Sequence, residues 1–155
     1  MVSPELLRRY QLFASLKPEH INAIAMLTEE VQLESGETIF ESGRPADYLY
    51  ILVTGCIDLF YVAVDEINPE LRKELFVSEI NPGEPFGISA LLDPWVYQGT
   101  VRTTCPSRVL KSESTGLRAL CEVDPAISAV LMRGMAQAAL SRLHDTHVLL
   151  AAARA

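Results

Sequence analysis

The sequence is short of the residues that several functional classes depend on. It has three cysteines, Cys56, Cys105 and Cys121, an odd number without CxxC spacing. That scatter argues against a zinc or redox motif and predicts buried thiols of a reduced compartment. Basic residues are the minority: 13 Lys and Arg stand against 20 Asp and Glu, a net charge of −7. Such a balance excludes a general nucleic-acid or anionic-membrane surface and leaves only local basic patches. No apolar run approaches the roughly 18 residues of a membrane span. The start, Met1-Val2-Ser3-Pro4-Glu5, has no basic stretch followed by an apolar one, so a soluble, cytoplasmic protein is expected. The chain also lacks a nucleophile elbow, a P-loop and an HExxH pair, and no catalytic or metal-binding residue is expected. His144 and His147 are three apart on a helical stretch, but without a third ligand they read as a solvated face.

What is present is the material for one core. Half the chain is apolar (49% of 155 residues), and a domain of this length buries roughly 68–70% of its unfolded surface without needing disulfides or metal. Ser3-Pro4 and Pro18-Glu19 each open a short helix, with Ser3 as N-cap of the first. In the second, Ile21, Ile24, Ala25 and Leu27 share a face, while His20 reads as a surface residue. From about residue 29 the period changes to two. Val31 and Leu33, Thr38 to Phe40, Tyr48 to Val53, Cys56 to Val64, Lys73 to Ile80, Gly99 to Thr104 and Arg108 to Ser112 read as strands, punctuated by Gly36, Gly43, Gly55 and the Asn81-Pro82-Gly83-Glu84 turn. Short strands at this spacing mark an all-β sandwich or barrel, here of about eight strands. Asp65, Glu66, Glu70 and Glu74 fall in or beside a hairpin loop around Asn68-Pro69 and read as solvated charges.

The chain closes in helix. Ser114 or Thr115 is placed to cap a short one, and Asp124-Pro125 is an N-cap and first-turn proline for a long one. Within the long helix Ala129, Met132, Ala136, Ala139, Leu143, Thr146, Leu150 and Ala153 recur at alternating three and four spacing, the pattern of a coiled-coil seam. A second stripe, Ile127, Val130 or Leu131, Met135 and Ala138, lies beside it. One stripe packs on the β-domain and the other meets a partner helix, so a homodimer is expected. The expected division is residues 1–123, roll with N-terminal helices, and 124–155, dimerisation helix.

The order of elements, with Gly36-Glu37-Thr38-Ile39-Phe40, Gly43, Asp47 through Gly55 and Asn81 through Gly87, resembles the cyclic-nucleotide-binding domain family, seen in catabolite-activator-like regulators and kinase regulatory subunits. The resemblance implies a mainly β fold, an eight-stranded β-roll (double-stranded jelly-roll) with N-terminal helices and a long C-terminal helix. It also implies a phosphate-binding cassette, here Phe86 to Val101, and a pocket formed by Phe86, Gly87, Ile88, Ser89, Ala90, Tyr97, Gln98, Gly99 and Thr100, with Arg142 above it.

The chemistry of the family's cassette is absent. A cyclic nucleotide needs an arginine fork for its phosphate and a carboxylate for its ribose hydroxyl. Ile88 stands at the glutamate position, and Tyr97, or Gln98 in a shifted loop, at the arginine position. Neither replacement carries a charge. Arg102 lies in the following strand and faces away if Val101 is buried. Losing both contacts removes about 4–6 kcal/mol, or roughly 10³–10⁴ in affinity. Cyclic AMP and cyclic GMP are therefore disfavoured as effectors. Trp95 and Tyr97 either stack on a flat ligand or plug the cavity themselves. In the transcription-factor relatives a DNA-reading domain follows the long helix, where this chain reaches Ala155, so nucleic acid is not expected as a partner. Two functions follow: a sensor module for some other small effector, signalling through its terminal helix to a protein in trans, or a dimerisation and docking scaffold with a closed pocket.

Overall fold

The computed structural model describes residues 1–155. Two short helices, α1 (Pro4–Arg8) and α2 (Pro18–Met26), precede eight strands: β1 (Thr28–Leu33), β2 (Thr38–Phe40), β3 (Tyr48–Thr54), β4 (Ile57–Val64), β5 (Arg72–Ile80), β6 (Pro85–Phe86), β7 (Thr100–Thr103) and β8 (Ser107–Glu113). A single 3-10 turn, Ile88–Leu91, lies between β6 and β7, and α3 (Ser114–Val123) and α4 (Pro125–Ala153) end the chain. The strands form two four-stranded antiparallel sheets, ordered β1-β8-β3-β6 and β2-β7-β4-β5. This is the expected β-roll. Seven strands coincide with the alternating or apolar runs of the sequence. The eighth, β6, pairs only Pro85 and Phe86 with β3, too short a segment to show any period.

Burial explains why the strands read differently. In β3, Leu49, Tyr50, Ile51 and Leu52 are all buried, because this strand lies between β8 and β6 with both faces covered; the result is a continuous apolar run. The β4–β5 hairpin instead projects from the roll, with Val64 opposite Arg72 at its far end, and leaves Tyr61, Leu75 and Phe76 exposed. One core cluster joins Leu7, Phe13, Ile21 and Ile24 of the N-terminal segment, Leu52, Ile57 and Val101 of the sheets, and Ile127, Leu131 and Met135 of α4. The first half of α4 is thus continuous with the roll's core across the expected boundary at residue 124. A side chain at Gly134 would collide with Leu12, so glycine there lets the N-terminal segment lie against α4.

Three expectations are corrected. Cys56 and Cys105 are not separate thiols but a disulfide, with Cα atoms 5.2 Å apart and a sequence separation of 49. The cause is the β4–β7 pairing, which sets Cys56, just before β4, beside the turn from β7 to β8. The Thr104 N–H donates to the Cys56 carbonyl at 2.8 Å, and Ser107 Oγ accepts from the Cys56 N–H and donates to the Cys105 carbonyl. Cys121 stays free, and burial pushes its thiol pKa up. His20 is buried rather than on the surface, with Nε2 2.7 Å from Asp124 Oδ2. Finally, α3 starts at Ser114 itself behind Glu113, without a side-chain cap. The other caps are as expected: Ser3 Oγ accepts from the Leu6 N–H, and Asp124 Oδ1 from that of Ala126.

Candidate functional site

A cleft of about 960 Å³ lies between the roll and the second half of α4. Its floor comes from Phe40, Phe86, Gly87, Ile88, Ser89, Tyr97, Gln98 and Gly99, one side from Leu59 to Tyr61 and Glu74 to Val77 of the β4–β5 hairpin, and the other from Ala139, Arg142, Thr146, Leu149, Leu150 and Ala153 of α4. Fifteen of the 22 lining residues are apolar. Of the residues singled out in the sequence, Phe86, Gly87, Ile88, Ser89, Tyr97, Gln98, Gly99 and Arg142 all line it. Ala90 and Thr100 do not: both are buried, the Ala90 carbonyl accepting from Arg118 and Thr100 Oγ1 from the Ser42 N–H.

The aromatic floor is packed as a stack. The Tyr97 ring lies on Phe40 at a centroid distance of 3.8 Å, and Tyr50 lies on Phe86 at 5.1 Å. The Tyr97 hydroxyl donates to the Tyr48 carbonyl at 2.7 Å and accepts from the Tyr48 N–H at 3.2 Å. Burial pushes its pKa up to about 12, against the lowering effect of that backbone hydrogen bond, so the phenol stays neutral. The Tyr97 side chain is thus consumed within the chain, its ring stacked on Phe40 and its hydroxyl held by the Tyr48 backbone. Trp95 lies outside the cleft lining, 44% exposed, with the Arg118 guanidinium over its ring at 4.4 Å.

Local backbone geometry sets the cassette. Gly87 has φ +70°, and a Cβ there would meet the Tyr48 carbonyl and Tyr97 Cε1 at 3.2 Å. Only glycine turns the chain from β6 into the 3-10 turn at this closeness. Arg118 of α3, which nothing in the sequence pattern marks, then ties the cassette down: Nε donates to the Ala90 carbonyl at 2.8 Å and an Nη to the Ala46 carbonyl at 3.0 Å. A positively charged fork is thus present near the cassette, but it is spent on backbone.

The remaining charges are also committed. Arg102 faces away from the floor, as expected from fully buried Val101; it makes a two-pronged pair with Glu74 at 3.0 Å and lies 5.1 Å from the Phe60 ring centroid. Arg142 holds Glu84 Oε2 and the Pro85 carbonyl, each at 3.2 Å. The predicted seam divides along its length. Met132 packs on the core, Ala129, Ala136 and Leu143 are exposed, and Ala139, Thr146 and Leu150 line the cleft. Leu140, Leu143, Val148, Leu149 and Leu150 are all 40% exposed or more.

Two antiparallel sheets closed into a roll, with a 3-10 cassette turn facing a long C-terminal helix, define the class. The family model described as the cyclic nucleotide-binding domain matches residues 30–124, and the chain belongs to that family. It is 28% identical over 133 residues to a CRP-like cAMP-activated global transcriptional regulator of Mycobacterium tuberculosis, covering 86% of this chain and 57% of that regulator. It is 30% identical over 114 residues to the cAMP-dependent protein kinase regulatory subunit of Emericella nidulans, covering 74% of this chain and 26% of the subunit. The chain thus spans little more than half of the regulator. A crystal structure from Geobacter metallireducens, of a protein described as cyclic nucleotide-binding, superposes with a TM-score of 0.80 at 38% identity, covering 93% of this chain and 100% of that one. No helix is long and apolar enough to cross a membrane.

Proposed function

We propose that this chain is a regulatory ligand-sensing module in which the roll binds a small effector other than cyclic AMP or cyclic GMP and passes its state through α4 to a partner. One observation carries the reading: the cleft is walled on one side by the roll and on the other by the half of α4 that lies beyond its last buried residue, Ala138. An occupant touches both and changes how the helix is held. The nucleotide preference follows from charge. Neither Ile88 nor Tyr97 can meet a phosphate or a ribose hydroxyl as the family's residues do, and Arg102, Arg118 and Arg142 are each already paired.

Titration calorimetry and thermal shift test this directly. A nucleotide present at a hundredfold excess over its Kd adds about 2.7 kcal/mol, which is several degrees in Tm. Neither cyclic AMP nor cyclic GMP at millimolar concentration should produce that shift, and a micromolar or tighter Kd for either overturns the reading.

The output proposed is a homodimer through α4, supported by Leu140, Leu143 and Val148 on the exposed part of the helix. A light-scattering mass of two chains is expected; a mass of one chain at tens of micromolar would remove the dimer from the proposal.

A further inference from the structure

Resting on the sensor reading above, the chemistry of the cleft narrows the class of effector. Its polar groups are mostly consumed within the chain. The Tyr97 hydroxyl is held by the Tyr48 backbone, the Thr146 hydroxyl donates to the Arg142 carbonyl at 2.9 Å, and the Gln98 amide donates to the Val96 carbonyl at 3.2 Å. A polar ligand would lose water and gain few partners. Meanwhile Tyr61 and the cross-strand Leu75 of the hairpin on one side, and Leu149 of α4 on the other, present apolar side chains, each 40% exposed or more. Apolar surface of this kind, concave and within the usual size of a ligand cavity, gains by burial against hydrocarbon.

One charge interrupts it. Arg142 is the single basic residue of the lining, and Glu74, the single acidic one, is already bound to Arg102. The Arg142 side chain is 16% exposed and stands between the cleft and a smaller neighbouring pocket, which it lines together with its partner Glu84, 33% exposed. Glu84 has a second partner, since its Oε1 accepts from Asn81 Nδ2 at 2.8 Å. Releasing Arg142 would not strand Glu84 without a hydrogen bond.

We propose that the cleft takes an amphipathic carboxylate, a hydrocarbon body seated between the β4–β5 hairpin and α4 and a single carboxylate that displaces Glu84 from Arg142. The exchange is carboxylate for carboxylate on one guanidinium, so no bare charge is left in an apolar wall. It also links occupancy to α4, because the residue that changes partner is on that helix.

The test uses dodecanoate and dodecanol as probes, on the full chain, with calorimetry for affinity and hydrogen exchange over residues 139–153 for the helix. Dodecanoate is expected to bind, to protect that segment, and to bind more tightly than dodecanol by about ten- to hundredfold, the worth of a charge-assisted hydrogen bond. Arg142→Gln should erase the difference between the two probes. Glu84→Gln, which removes the competitor and keeps an acceptor for Asn81, should tighten dodecanoate alone. Leu75→Glu, on an exposed strand position that leaves the core untouched, should abolish both. Equal binding of the two probes with no response to Arg142→Gln overturns the carboxylate assignment and leaves the sensor reading standing. Binding of neither probe overturns the inference altogether. Protection of Leu75, Phe76 and Leu149 that rises with protein concentration alone would do so too, by showing that a second copy fills the cleft. Tight binding of cyclic AMP is the separate result that defeats the sensor reading.

Discussion

The Tyr97 hydroxyl satisfies both backbone groups of Tyr48 at a position where only 4% of the residue meets solvent. The Tyr97→Phe substitution keeps an aromatic ring on Phe40 but leaves a buried carbonyl and N–H with fewer partners. A loss of about 1–3 kcal/mol is expected, read as a lower urea midpoint at unchanged m-value. An unchanged midpoint would mean that water replaces the hydroxyl and that the site is more open than the stack implies. The sequence offers only uncharged residues, Tyr97 or Gln98 in a shifted loop, where the resemblance implies an arginine. The fate of the ring is not legible there, since plugging and stacking on a ligand use the same residue. Arg118 is invisible for a related reason: its partners, the carbonyls of Ala90 and Ala46, are backbone groups that leave no mark on side-chain pattern.

At the N-terminus of α4, Asp124 does two things at once. It caps the helix through the Ala126 N–H at 2.9 Å and contacts His20 of α2 at 2.7 Å. The cap hydrogen bond first, and the histidine after it, hold its carboxyl below the ordinary aspartate range. A depressed carboxylate pKa stabilises the fold above the unfolded value and is lost as pH falls through the folded one. Acid below about pH 4 should therefore loosen the α2–α4 junction, seen as faster amide exchange in the first turn of α4. Asp124→Asn, which caps as well as aspartate, should keep the helix start yet flatten this acid response. A response as steep as in the unchanged protein would place the titrating group elsewhere. The Asp124-Pro125 pair announces the cap in the sequence but not the histidine, which comes from the other end of the chain. The strands behave alike: β1 to β5 show their period or apolar run, whereas the two residues of β6 are defined only by β3 beside them.

Across the whole molecule, the disulfide joins positions 49 apart in sequence and closes a loop that contains β4, β5, β6, β7 and the entire cassette. Chain-entropy reasoning puts such a link at about 4 kcal/mol, and native links typically measure roughly 2–5 kcal/mol. Reductant should lower Tm by several degrees, and the Cys56→Ser, Cys105→Ser double variant should melt at the reduced value with or without it. Identical melting of the parent protein in both conditions would show that the Ser107 and Thr104 hydrogen bonds already hold the ends together. Three scattered cysteines do not reveal this pairing, because only the β4–β7 register brings two of them within reach. The charge distribution, in contrast, is readable at once: residues 124–155 carry three arginines against two aspartates, and the acidic excess belongs to the roll. The continuity of the core into α4, and its stop at Ala138, has a mechanical consequence. With one half clamped and residues 139–153 beyond the last buried position, the helix is a cantilever whose arm, tied to the roll through Arg142, is about 22 Å long at 1.5 Å per residue. A tilt of roughly 10° at the fulcrum swings the tip by about 4 Å over that arm, so a sub-ångström shift beside Ala139 and Arg142 arrives at Ala153 magnified several times.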